Sequence, residues 1–161
     1  MLKRALFYSY TTAPDIAFYE ENTSTAIHES TSLSGESHPE TMHLSPSDSN
    51  VCFRLMTHIS ESFSPTLFQP PPALHMECTD VYADLWMENA VQPAFSDAGI
   101  SKPFETLARL RKLNWKRDAS DHSNGRSEPC DECLDHRRKD WLEEAIAIWN
   151  RMDEWIDQGN S

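Results

Sequence analysis

No stretch of this chain approaches the ~20 consecutive apolar residues that a membrane-spanning helix needs, so it is not expected to cross a bilayer. Positive charge is scarce as well. Lys and Arg number 14 against 26 Asp and Glu, for a formal net charge of −12 at pH 7. A chain with that balance repels phosphate backbones, so nucleic acid is not the expected partner. No secretory signal is read, because Lys3 and Arg4 are followed only by Ala5-Leu6-Phe7-Tyr8 before Ser9 and Thr11 interrupt the run. Pro14 and the lack of repeated Arg speak against a mitochondrial presequence, although Asp15 is the first acidic residue. The expected setting is the cytoplasm or nucleus, where thiols stay reduced.

Tryptophan is missing from the first 72 residues, which hold 20 Ser or Thr and 7 of the 10 Pro; the remaining 89 hold 8 Ser or Thr and all five Trp. A core is therefore expected beyond Pro72. Thr23 to Asn50, with 12 Ser or Thr in 28 positions and His28, His38 and His43 scattered among them, shows no apolar periodicity and reads as disordered. Ser45-Pro46 and Ser64-Pro65 would suit proline-directed kinases, whereas a solvated spacer needs no such role. Val51 to Phe63 is an apolar island. Cys52, Met56, Ile59 and Phe63 fit a short helix, while Val51, Phe53 and Leu55 alternate as a strand would. Gln69-Pro70-Pro71-Pro72 forces an extended linker, which places the boundary there.

Three helices are expected in residues 73–158. The first is capped by Thr79 and runs to about Val91, with Cys78, Val81, Tyr82, Leu85 and Trp86 on one side and Pro93 beyond its end. The second opens at Ser101 and Pro103, turns Phe104, Leu107, Ala108 and Leu110 inward, and closes at Trp115. It is basic: Lys102, Arg109, Arg111, Lys112, Lys116 and Arg117 face only Glu105, a stripe that could meet nucleic acid or an acidic protein, or simply balance an acidic neighbour. Residues Lys116 to Glu128, with Asn124-Gly125, read as a loop. The third helix, Asp131 to about Gln158, contains neither Gly nor Pro. Its stripe is Leu142, Ala145, Trp149, Met152 and Ile156, widened by Trp141, Ile148 and Trp155, with Glu143, Glu144 and Asn150 left wet.

The chemistry concentrates in His75-x2-Cys78 and Cys130-x2-Cys133. Each pair opens an expected helix, where side chains three residues apart can converge on one ion. Together they offer the four soft or borderline ligands of a closed tetrahedral zinc site. His122 and His136 are competing ligands, and the alternative is that the cysteines are incidental reduced thiols. A redox Cys-x-x-Cys would follow a strand in a βαβ unit, and none precedes this one. His75-Met76-Glu77 with Pro129-Cys130-Asp131-Glu132-Cys133 also spells the H-x-E…P-C-x-x-C signature of zinc nucleobase deaminases, in which three ligands leave a position for water and Glu77 would move protons. The 51 residues between the halves show no strand, and Cys78 would close the open position.

Cys130-x2-Cys133, a polar and charged helix, and then Trp149-x-x-Met152-Asp153-x-x-Ile156 resemble the tail of BTB/POZ domain proteins of mushroom-forming fungi. Those tails carry a cysteine pair and a helix ending in a Trp-x-x-Leu-Pro-x-x-Phe-like motif. Here Met152, Asp153 and Ile156 replace the last three named positions, and residues 1–72 lack the alternating helices and strands of a BTB domain. The resemblance implies a non-enzymatic interaction protein, a truncated or divergent member of that group. The combined expectation is a mainly α protein: a small three-helix module over 73–158 with a largely disordered N-terminal half. A zinc ion on His75, Cys78, Cys130 and Cys133 would stabilise it, a protein would be its partner, and no residue is expected to be catalytic. The other reading is a deaminase-like zinc hydrolase on His75, Cys130, Cys133 and Glu77.

Overall fold

The computed structural model describes residues 2–12, 44–116 and 127–158. They form α1 (Leu2–Thr12), α2 (Pro46–Phe68), α3 (Met76–Trp86), α4 (Gln92–Ser96), α5 (Pro103–Lys112) and α6 (Asp131–Asp157), with no strand among the described residues. The mainly α expectation holds. The disorder expected from Thr23 and the loop expected at Lys116 to Glu128 fall largely on residues outside the described ones. At Ser45–Asn50, where the first does meet them, the chain is a helix cap and a first turn.

Residues ahead of the Pro linker supply one wall of the core, so the packed unit does not begin at residue 73. Ser45 caps α2, its hydroxyl accepting the Asp48 N–H at 3.1 Å, and Pro46 presets the first turn. Val51, Leu55, Ile59, Phe63 and Leu67 then recur every four residues and enter one cluster with Trp86, Trp115, Trp141 and Met152. The strand alternation loses, because Phe53 is exposed and the helix buries five large side chains instead. Pro65 lies inside this helix, which ends at Gln69 where the Pro run demands extended backbone. Ser64-Pro65 is thus helical, with the Ser64 hydroxyl donating to the Ser60 carbonyl.

The first helix beyond the linker starts earlier than expected. His75 is its N-cap, and Thr79 lies within its first turns, where its hydroxyl accepts the Ala73 N–H at 2.8 Å and ties the linker down. Cys78, Val81, Tyr82 and Trp86 are buried, as the periodicity indicates. Pro93 does not stop the helix. A π turn, Met87–Val91, carries α3 into α4, and this wider turn absorbs a residue that has no N–H to give.

After α4 the chain reverses through Ala98, whose φ of 53° is left-handed, and Gly99. A Cβ on Gly99 would lie 2.7 Å from Thr106 Oγ1 and 2.8 Å from Ala94 Cα. Gly99→Ala should therefore destabilise by more than about 1 kcal/mol, while Ala98→Gly relieves the left-handed strain and stabilises by up to about 1 kcal/mol. Urea unfolding of the two variants checks the opposite signs.

α5 buries Pro103, Thr106, Leu107 and Leu110, but Ala108 is exposed. On α6 the inward stripe is rotated from expectation. Trp141, Ile148, Met152, Trp155 and Ile156 are buried, Ala145 and Trp149 half-buried, and Leu142 is 40% exposed. Two apolar stripes run one residue apart here, and the one carrying two indoles takes the interior. Glu143 and Asn150 are exposed as expected; Glu144 is half-buried and accepts the Thr66 hydroxyl at 2.6 Å. Trp86, Trp115 and Trp141 stack with centroids 5.8–6.3 Å apart, and Tyr82 meets Trp115 edge-on at 5.0 Å. One aromatic joint thus gathers α3, the strap after α5, and α6.

α1 packs on α2 and α6. Arg4 pairs with Asp153, donates to the Trp149 carbonyl at 3.0 Å and lies over the Trp149 ring, while Tyr8 packs edge-on against Phe104. Arg4 holds the Asp153 carboxyl below its usual value. A depressed carboxylate favours the docked state above the unfolded carboxylate pKa and loses that contribution as pH falls through the folded value. Acidification below about pH 4 should loosen α1 and change Trp149 emission, and Asp153→Asn should abolish that acid-dependent change.

Candidate metal centre

The two pairs are placed by the same local device. His75 is the N-cap of α3 and Cys78 lies three residues on; Cys130 is the N-cap of α6 and Cys133 lies three residues on. Both caps have extended backbone, which swings the cap side chain back over the first turn, beside the residue three positions later. The Cys78 and Thr79 N–H groups donate to the His75 carbonyl, and the Leu134 N–H donates to the Cys130 carbonyl. Two helix starts, each with the positive end of its dipole, therefore converge on one spot that suits anionic sulfur.

One ligand atom from each of His75, Cys78, Cys130 and Cys133 can be chosen so that all four lie within 4.8 Å of one another. The Cys78 and Cys130 sulfurs are 3.8 Å apart, and His75 Nδ1 is 3.4 Å from the Cys130 sulfur and 3.3 Å from that of Cys133. Donors held ~2.3 Å (sulfur) and ~2.0 Å (nitrogen) from one tetrahedral ion would be ~3.8 Å apart sulfur to sulfur and ~3.5 Å sulfur to nitrogen. These three separations already match that geometry. Cys78 and Cys133 are buried, Cys130 is half-buried and His75 is exposed, so the protein backs the site on one side and solvent reaches it on the other.

Burial pushes the Cys78 thiol up. Cys130 is pulled down to about 7, chiefly by the Cys133 backbone N–H and then by the Cys133, His75 and Cys78 side chains.

Two residues that the sequence reading did not assign to this site stand behind it. Tyr82 is one turn beyond Cys78 and Arg137 one turn beyond Cys133; the Tyr82 hydroxyl and Arg137 Nε are buried with no hydrogen-bond partner among the described residues. Burial, and then the negative charge of Cys133, raise the Tyr82 hydroxyl. Spacing of four from each ligand was the available signal for both.

Of the competing ligands, His122 lies outside the described residues, and His136 turns along α6 to Asp140, 3.0 Å away. Cys52 is buried in α2, apart from the cluster. Glu77 is exposed beside His75. The basic stripe is partly spent on the protein itself: Arg109 donates to the Ala90 carbonyl, and Lys116 pairs with Glu128 at 3.0 Å. No family model, curated protein or solved structure matches this chain.

Proposed function

We propose that this chain is a non-enzymatic protein-interaction module whose helices are clamped by one structural zinc ion on His75, Cys78, Cys130 and Cys133. The observation that carries the reading is the mutual approach of four donors from the starts of two helices 55 residues apart in sequence. Three thiolates and an imidazole suit zinc, whereas magnesium and calcium prefer oxygen. Four protein donors make a closed site, and closed zinc sites are structural. The likeness of Pro129 to Ile156 to the tails of BTB/POZ domain proteins favours an interaction role, and so does the apolar surface left by Phe68 and Phe95, whose rings meet at 5.7 Å.

Elemental analysis of protein purified without chelator should give about one zinc per chain, and X-ray absorption should show three sulfurs and one nitrogen around it. A shell of two sulfurs, one nitrogen and a water oxygen, together with release of ammonia from cytidine or adenosine, would overturn this reading. It would favour the zinc-dependent nucleobase deaminase-like hydrolase, with Cys78 outside the shell and Glu77 moving protons. Cross-linking in the native extract with the metal kept in place should capture a protein partner at the Phe68 and Phe95 face. An unmodified, unpartnered chain would remove the interaction half.

A further inference from the structure

We propose that the cluster is also a peroxide-responsive site, in which oxidation joins Cys130 to Cys78 as a disulfide and expels the zinc. The proposal rests on the zinc reading above and adds its regulation. Three cysteines within one 4.8 Å cluster are a metal site and a dithiol at once, and which they become is decided by access and by sulfur-to-sulfur distance. Cys130 is the half-buried sulfur, on the side where His75, Met76, Glu77, Asp131 and Glu132 are exposed, whereas Cys78 and Cys133 are covered. A small oxidant arriving from solvent reaches Cys130 first.

The partner is fixed by position. The Cys78 sulfur stands 3.8 Å from that of Cys130 and takes the Cys130 backbone N–H at 3.4 Å, which holds it over the start of α6. His75 Nδ1 stands about equally near the Cys130 and Cys133 sulfurs, at 3.4 and 3.3 Å, so the contact that singles out a partner is the one between Cys78 and Cys130. Closing 3.8 Å to the ~2.05 Å of a disulfide is a movement of under about 2 Å between two sulfurs already in contact. Cys52, buried in the α2 face of the core, has no such neighbour in the cluster and is not exposed to the oxidant.

The chemistry balances with a hydroperoxide as oxidant. The Cys130 thiolate attacks one peroxide oxygen, forming an S–O bond and breaking O–O, and hydroxide leaves. The Cys78 thiolate then attacks the Cys130 sulfur; the S–S bond forms, the S–O bond breaks and a second hydroxide departs. Two thiolates have lost two electrons, and one hydrogen peroxide has become two hydroxides, which solvent protonates. Zinc keeps only His75 and Cys133 and dissociates, and Cys133 takes up a proton. The join between α3 and α6 survives as a covalent one, so the metal is lost without loss of the fold.

The test uses the zinc-loaded full chain and hydrogen peroxide, with a chromogenic chelator reading released zinc and mass spectrometry reading the cysteines. Near-complete zinc release should accompany loss of two thiols per chain. A tryptic digest should link Leu55–Arg109 to Ser127–Arg137, with fragmentation placing the bond at Cys78 and Cys130. A thiol reductant should restore both thiols and zinc binding, and Cys52→Ala should change neither readout. Release without that disulfide, a bond from Cys130 to Cys133, or oxidation confined to Cys52 would overturn the exchange. A chain that carries no zinc yet forms the Cys78–Cys130 bond would overturn the zinc centre itself.

Discussion

Stripping the metal from purified protein with a strong chelator should lower its melting temperature by about 10–20 °C. A zinc ion held by the assembled cluster and not by four scattered residues would stabilise the fold by mass action, by about 4 kcal/mol when present at a thousand times its dissociation constant. For a core of roughly this size each kcal/mol moves the midpoint by several degrees. Cys133→Ser should mimic the chelator, because Cys133 is buried and its loss leaves three donors. Acid should act the same way. Protons compete with zinc for the sulfurs, and burial already pushes the Cys78 thiol up, so the metal-dependent part of the stability should fade as pH falls. Circular dichroism melts with and without chelator at two pH values read this directly. A midpoint indifferent to chelator would remove zinc from the account of stability.

Trp141→Ala should cost about 3–5 kcal/mol, the range for truncating a buried aromatic, while the neighbouring Leu142→Ala should change stability by no more than about 0.5 kcal/mol. Trp141 is 3% exposed and touches Tyr82, Trp86 and Trp115, so its removal opens a hole at the meeting point of three chain segments. Leu142 points outward. Trp149→Ala should fall between them, since its half-buried ring packs on Phe104 and under Arg4 rather than in the centre. Denaturant melts of the three variants give the order. If Leu142→Ala matched Trp141→Ala, the orientation of α6 would be wrong.

The same pair of residues shows what a sequence can and cannot convey. The existence and length of α6 were legible because 27 residues pass without a breaker. Its rotation was not, because Leu142, Ala145, Trp149 and Trp141, Ala145, Ile148 are both acceptable helical stripes and only the facing helices choose between them. α2 was half legible: Val51 to Phe63 carries both periods, and the partner that settles the matter, α6, lies some 80 residues later. The approach of His75, Cys78, Cys130 and Cys133 to one another was legible, since both pairs sit at helix starts and an N-cap side chain folds back over the residue three positions on. That is short-range geometry, which sequence spacing encodes. Arg4 meeting Asp153 was invisible, being a contact across 149 residues that no local pattern announces.

The π turn at Met87–Val91 acts as a phase corrector. Tyr82, Trp86, Ala90 and Ala94 are all buried and recur in steps of four. A regular α-helix turns about 100° per residue, so each step of four overshoots a full circle by about 40°. Three such steps would carry Ala94 roughly a third of the way round and off the core. A turn closing over five residues instead of four rewinds part of that overshoot and keeps all four side chains in one line. The widened backbone therefore works as a vernier between the aromatic joint at one end of the helix and the tight Ala94–Gly99–Thr106 contact at the other. Excising a single residue such as Asn89 would restore a tidy helix and leave Ala94 in its seat, since Tyr82 and Ala94 would then stand eleven steps apart, within about 20° of alignment.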